Sequence, residues 1–179
     1  SITNNNDLES KNDITLTRAM SACLEFHESN FDLVTLYGSA VAERYVARNP
    51  LLRGRITIDS IRGASSHQHN PVALLADKNA DEKSGNVIGV SLVYSGNFAI
   101  ETEVDQNDQT RLNIGINPNN FRFIIQPNET FYTPEVVIVF SDNGFGEISR
   151  KMHRFVRDNI MQSEWKNKKR PILINSWEA

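Results

Sequence analysis

Between Ile14 and Phe140, apolar and polar residues alternate in short runs, each ending in a cluster of turn-forming residues. A period of two sends successive side chains to opposite faces, so the runs read as strands with one buried face. Strands are expected at 14–24, 32–37, 55–59, 71–76, 87–94, 98–104, 111–116, 121–125 and 132–140. The run 87–94 is the longest and belongs at a sheet centre, and residues 77–86, rich in Lys, Asp, Asn, Ser and Gly, form a polar hairpin. Short strands spaced by turns predict a mainly β fold, a large antiparallel sandwich. Residues 43–49 suit either a helical turn or an edge strand, and Pro50 stops both. The excursion 38–49 is a scaffold loop or a binding or subunit contact.

The period changes after Ser141. Ile148, Met152, Phe155, Val156 and Ile160 fall on one helical face, with Asp142 or Asn143 placed to cap its start. Residues 141–170 carry eight Lys/Arg against four Asp/Glu, the pattern of a solvated face and, over 162–170, a basic linker. The chain then closes on Ile172, Leu173 and Ile174, a consecutive apolar run that suits a parallel strand buried on both faces. A parallel strand needs a crossover unit, and none follows. Ser1-Ile2-Thr3 likewise reads like the middle of a strand. The expectation is therefore a piece of a larger protein: the later part of a β domain over 1–143, a helix and linker over 144–170, and the opening strand of a second domain over 171–179.

With 179 residues, 39% of them hydrophobic, a sizeable core is available. A net charge of −3 gives no electrostatic reason to expect nucleic acid or an acidic membrane as partner. No apolar run approaches the roughly 20 residues that cross a bilayer. A single cysteine, Cys23, excludes an internal disulfide and fits a reducing, cytoplasmic setting; its apolar surroundings suggest a small core residue.

Candidate chemistry is sparse. His67 and His69, two apart, would share a strand face and could begin a zinc site, but only His27 and His153 could complete an imidazole set. Ser65 and Ser66 lack the Gly-x-Ser-x-Gly setting of a nucleophile elbow. Gly144-Phe145-Gly146 looks like a fragment of a phosphate loop without the following Lys-Ser/Thr, so a helix start is the better reading. Asp59, Asp105 and Glu135 have no evident carboxylate partner for acid–base work. Trp177, just past a parallel strand, is the best single candidate for ligand contact, since an indole face stacks well on sugar C–H surfaces.

Several segments recur in a recognisable order: Leu36-Tyr37-Gly38, Glu43-Arg44, the run from Ile61-Arg62-Gly63-Ala64-Ser65-Ser66 through His67-Gln68-His69-Asn70-Pro71, Leu92-Val93-Tyr94-Ser95-Gly96-Asn97-Phe98, Ile114-Gly115-Ile116-Asn117-Pro118, Thr133-Pro134-Glu135-Val136 and Ile174-Asn175-Ser176-Trp177-Glu178-Ala179. Together they resemble bacterial α-galactosidases of glycoside hydrolase family thirty-six. The resemblance implies a β-supersandwich like that of galactose mutarotase, then a (β/α)8 barrel and a small C-terminal β domain. This chain would supply the later supersandwich, the connecting helix and the first barrel strand. It also implies removal of terminal α-linked galactose from melibiose, raffinose and related oligosaccharides with retention, by a tetramer needing no metal or organic cofactor. The two catalytic aspartates would lie on later barrel strands, so no catalytic residue is expected here. By the same resemblance Trp177 lines the galactose pocket, and the loop after Tyr37-Gly38 approaches it, making Ser39 and Ala40 substrate-contact candidates. Relatives often carry Trp or His where Ala40 stands, and Arg where Ala42 stands, which implies a more open pocket or an altered leaving-group preference. The His67/His69 run would anchor a long loop through backbone hydrogen bonds. Two rival functions remain on the sequence: a non-catalytic sugar-binding sandwich and a purely oligomerising β domain.

Overall fold

The computed structural model describes residues 1–6 and 12–176. Its strands are β1 (Ile2–Thr3), β2 (Ile14–Leu16), β3 (Met20–Phe26), β4 (Phe31–Ser39), β5 (Ala42–Pro50), β6 (Gly54–Asp59), β7 (His69–Asp77), β8 (Val87–Leu92), β9 (Phe98–Val104), β10 (Thr110–Ile116), β11 (Phe123–Ile125), β12 (Thr130–Phe131) and β13 (Val136–Ser141). One helix, α1 (Gly144–Phe155), follows them. Two antiparallel sheets face each other: five strands in the order β13-β8-β7-β4-β5, and four in the order β3-β10-β9-β6. Two short ribbons, β1-β12 and β11-β2, flank them. The expected antiparallel sandwich is what forms.

The core lies between the sheets. Leu33, Leu75, Val90 and Leu92 from the larger sheet meet Phe98, Ile100, Leu112 and Ile114 from the smaller. Each such side chain contributes about 1.5–3 kcal/mol when fully buried. The larger sheet has a second apolar face, where Val34, Ala76 and Val87 pack under Ile148 of α1. That is why Val87–Leu92 reads as nearly continuous rather than alternating: β8 is covered on both sides.

Several expectations change in detail. The first long run breaks after Leu16: β2 pairs with β11, while β3 pairs with β10 in the smaller sheet. The run 132–140 pairs only from Val136, past Pro134, which has no N–H to give a ladder. Residues 43–49 belong to β5, an edge strand that ends at Pro50. Cys23 is exposed rather than buried, because alternation along β3 turns Ala22 and Leu24 to the core and Cys23 outward. The helical face beyond Phe155 passes into a π turn over Val156–Ile160, where the Met161 N–H donates to Val156 O at 2.8 Å.

The helix start is also capped differently. No side-chain cap forms at Asn143. Instead the β7–β8 hairpin offers carbonyls: Gly144, Phe145 and Gly146 donate their N–H groups to Gly85 O, Asp81 O and Glu82 O at 3.0, 2.9 and 3.0 Å. These are the donors a helix leaves unpaired at its start. The approach requires glycine, since Gly144 sits at φ +70° and a Cβ at Gly146 would lie 2.8 Å from Glu82 O. The donors a phosphate would need are thus already engaged.

Residues 171–176, within the expected strand 171–179, carry no strand pairing. Ile172, Leu173 and Ile174 are 94%, 89% and 82% exposed. A parallel strand forms only beside parallel neighbours, and none lies alongside among the described residues.

Candidate functional site

At one end of the sandwich the β4–β5 hairpin, the loop 60–68 and the start of β7 enclose a polar cleft of about 450 Å³. Glu43, Arg44, Ser65, Ser66, His67 and Asn70 line it. The hairpin turns sharply: Ser39 pairs with Ala42 across Ala40 and Val41, and Val41 adopts φ +70°. A left-handed φ is unfavourable for a β-branched residue, and Arg44 at φ +64° adds a second strained position beside the cleft. The Val41 N–H donates to Glu43 Oε1 at 3.2 Å, and Gly38 lets the strands close, since a Cβ there would lie 2.7 Å from Glu43 Cα.

The loop is held by a dense set of hydrogen bonds. Gly38 N–H donates to Gln68 O at 3.0 Å and Ser65 N–H to Ser95 O at 2.8 Å. Ser66 Oγ accepts from Gln68 N–H at 2.8 Å, Ser60 Oγ donates to Ala64 O at 2.6 Å, and Asn97 Oδ1 accepts from Gly63 N–H at 2.6 Å. Beneath the loop Asn117 is almost fully buried. Its Nδ2 donates to Asp59 Oδ2 at 2.9 Å and reaches Ser60 O and Phe98 O at 3.2 and 3.3 Å.

His69 and His67 part company. His69 stacks against Tyr37 across the β4–β7 pair, with ring centroids 5.1 Å apart, while His67 faces the cleft. Burial pushes the His69 imidazole below the usual histidine range, with Asp59 acting weakly in the opposite sense. Its Nδ1 is buried and finds no hydrogen-bond partner among the described residues. The backbone bonds of Gln68 and Ser65 match the anchoring role read for this run. Among the described residues no group of three His, Cys, Asp or Glu side chains gathers as a metal site.

The carboxylates singled out in the sequence have structural occupations. Asp59 is tied to Asn117, and Asp105 Oδ1 accepts from Asn107 and Gln109 N–H at 2.8 and 2.9 Å, closing the β9–β10 turn. Glu135 is exposed, and its backbone carbonyl accepts from Val93 N–H at 2.8 Å. Glu101, mostly buried on β9, is engaged by Arg18 at 2.7 Å and Arg55 at 3.9 Å.

Of the substrate-contact candidates, Ser39 and Ala40 sit exposed at the hairpin tip, next to the cleft but not lining it. Trp177 lies outside the described residues. Asn97 and Asn117, which organise the loop, stood in the sequence within the family-like segments and in the Ser-Gly-Asn and Asn-Pro turn contexts, with nothing to mark them as its buried supports. A larger hollow of about 630 Å³ lies under α1, lined by Val34, Leu36, Val72, Leu74, Phe145 and Met152 among others. Among the described residues that line it, Arg48 and Glu82 are the charged ones and most of the rest are apolar, as suits packing rather than sugar binding.

Comparison with known proteins agrees along the whole chain. The model of the glycosyl hydrolase family 36 N-terminal domain matches residues 1–126, and the melibiase model matches residues 130–179. The α-galactosidase AgaA of Geobacillus stearothermophilus is 45% identical over 93% of this chain, which spans 23% of that relative's length. Crystal structures of AgaA variants with raffinose and with stachyose superpose with TM-scores of 0.91 and 0.90, again at 45% identity, covering 93% of this chain and 23% of theirs. The α-galactosidase of Lactobacillus brevis superposes with a TM-score of 0.93 at 38% identity, over 99% of this chain and 23% of its own.

Proposed function

Because the chain belongs to glycosyl hydrolase family 36, we propose that it is part of a retaining α-galactosidase acting on terminal α-linked galactose of oligosaccharides such as melibiose, raffinose and stachyose. The observation that carries this reading is likeness in both sequence and backbone to α-galactosidases over nearly the entire chain.

The chain's role is scaffold and wall. Retention needs two carboxyl groups about 5–5.5 Å apart, one attacking the anomeric carbon and one protonating the leaving oxygen. The family resemblance puts the reactive pair on later barrel strands, beyond this chain, and within it Asp59 and Glu101 are each held by a hydrogen-bonding or oppositely charged neighbour. Residues 171–179 open the barrel, which gives Ile172–Ile174 the neighbours they lack here, and Trp177 lines the galactose pocket. Ser39 and Ala40, at the tip of the β4–β5 hairpin, face the leaving-group side; the small Ala40 leaves room for longer oligosaccharides. Residues 1–143 form the later supersandwich and 144–170 the connection. The parent works as a tetramer in the cytoplasm, a reducing setting that suits the exposed free thiol of Cys23.

The test is expression of the whole reading frame beside the 179-residue chain, with galactose release from raffinose as readout. The parent should release galactose and the chain alone should not. Turnover by the chain alone, or none by the folded parent on any α-galactoside, would refute the reading.

A further inference from the structure

We propose that the polar cleft between the β4–β5 hairpin and the loop 60–68 binds a neutral sugar unit, with the Arg44 guanidinium as its principal donor. The identity of that sugar rests on the reading above: it is the part of the oligosaccharide other than the terminal galactose, which for raffinose is sucrose.

Consecutive residues of a strand point to opposite faces, yet Glu43 and Arg44 of β5 both line the cleft. The register accounts for it. Tyr37 pairs with Tyr45 and Ser39 with Ala42, so Glu43 and Arg44 together oppose Gly38 in a bulge. Arg44 takes φ +64° there, and Gly38 leaves it room, since a Cβ would lie 3.1 Å from Arg44 N. A left-handed backbone is unfavourable for arginine, whereas glycine adopts it freely. The chain thus holds a strained residue at the point where a bulge re-aims its side chain into the cleft, and strain of this kind gathers at functional sites.

The side chains gathered here have bonding capacity left over. Arg18, Arg48, Arg53, Arg55, Arg62 and Arg111 each donate to an acceptor of the fold. The exposed guanidinium of Arg44 finds no hydrogen bond or ion pair among the described residues, and neither does the His67 imidazole. Glu43 commits Oε1 to the Val41 N–H, and Asn70 Nδ2 donates to Ser66 O at 3.2 Å. Glu43 Oε2 and Asn70 Oδ1 therefore stay available as acceptors in the same cleft. A sugar hydroxyl both donates and accepts, so it needs this mixture of groups. The charges narrow the class of ligand further. Glu43 beside Arg44 opposes an anion, and Arg44 opposes a cation. A neutral polyol meets neither penalty, and a cleft of about 450 Å³ has the size of a small-molecule site.

The parent enzyme and its Arg44→Gly and His67→Ala variants are titrated with sucrose by calorimetry, and their melting temperatures are compared. Arg44→Gly should melt no lower than the parent, because glycine accepts the left-handed backbone, yet bind sucrose weaker by roughly tenfold or more. An arginine that served the fold alone would instead lower the melting temperature, and that result would overturn its assignment as a ligand. His67→Ala, at an exposed side chain, should weaken sucrose binding as well. Unchanged sucrose affinity in either variant, no sucrose binding by the parent, or tighter binding of sulfate than of sucrose would each overturn the proposal. Galactose release from raffinose by the unaltered parent is measured separately. A parent that releases galactose while the variants keep their sucrose affinity rejects the cleft alone. A parent that binds sucrose through Arg44 and releases no galactose rejects the galactosidase reading alone.

Discussion

Replacement of Asn117 by alanine should loosen the loop 60–68 and cost the whole domain stability. Asn117 is 2% exposed and makes bonds from both ends of its amide. Its Nδ2 serves Asp59 Oδ2, Ser60 O and Phe98 O, and its Oδ1 accepts from Asn119 N–H at 2.9 Å. Phe98 O keeps a second donor, the Ser60 N–H at 3.0 Å, so it is not stranded. Ser60 O loses its Asn117 donor in a buried setting, which costs roughly 1–3 kcal/mol. The lost turn bond to Asn119 adds about 0.5–1.5 kcal/mol, and the Asp59 bond a comparable amount after discounting for partial solvent access. A total of roughly 2–6 kcal/mol follows. With a urea slope of about 2 kcal/mol per molar, the midpoint should fall by ~1–3 M. Asn117→Asp keeps the shape and the Oδ1 acceptor but sets a carboxylate beside Asp59, so at neutral pH it should lose at least as much and recover partly in acid. If Asn117→Ala stays within about 0.5 kcal/mol of the parent sequence, as an ordinary surface change would, the loop is not held from below in this way.

Glu147 accepts from Ser141 Oγ, Asn143 Nδ2 and Lys151 Nζ, which together hold its carboxyl down to about 2 from an ordinary 4.5. In acid the unfolded chain therefore binds the proton first, so the stability Glu147 contributes is complete above pH 4.5 and fades as pH falls toward 2. Urea melts of Glu147→Gln and the unaltered chain should converge across that interval, and a constant difference would contradict the assignment. Ile100→Ala, at a fully buried site between the sheets, should cost about 2–5 kcal/mol by chemical denaturation. Ile172→Ala should leave the chain within about 0.5 kcal/mol, as its side chain touches little here. Gly38→Ala forces a Cβ against Ala42 O and Glu43 Cα and should cost about 1–3 kcal/mol, read as a lower melting temperature.

The sandwich was legible in the sequence because half-buried antiparallel strands write their faces into alternation, as at the start of β10, where Thr110, Leu112 and Ile114 are buried, Arg111 is exposed and Asn113 is half-buried. Strand breaks were less legible. Pro134 announces one, but the break after Leu16 depends on β2 leaving for β11, a partner more than 100 residues away. Cys23 was misplaced because an apolar neighbourhood does not say which face a given residue takes; one step of register decides it. The helix cap escaped for a related reason. Sequence shows a capping side chain, not a carbonyl from a distant hairpin such as Asp81 O. The cleft was legible only in part: the Ser65–Asn70 run stood out by composition, whereas Glu43 and Arg44 reach it through folding. The spacing of His67 and His69 left the packing partner of His69 unreadable, and the fold sets it against Tyr37.

The most direct test of where the chemistry resides is to trap the glycosyl ester. The parent enzyme would be inactivated with a fluorinated α-galactosyl fluoride and the labelled peptide sequenced. The label should fall on an aspartate outside these 179 residues, while the chain alone takes up none. A label on Asp59, Glu101 or any other carboxylate within this chain would overturn its assignment as scaffold and wall.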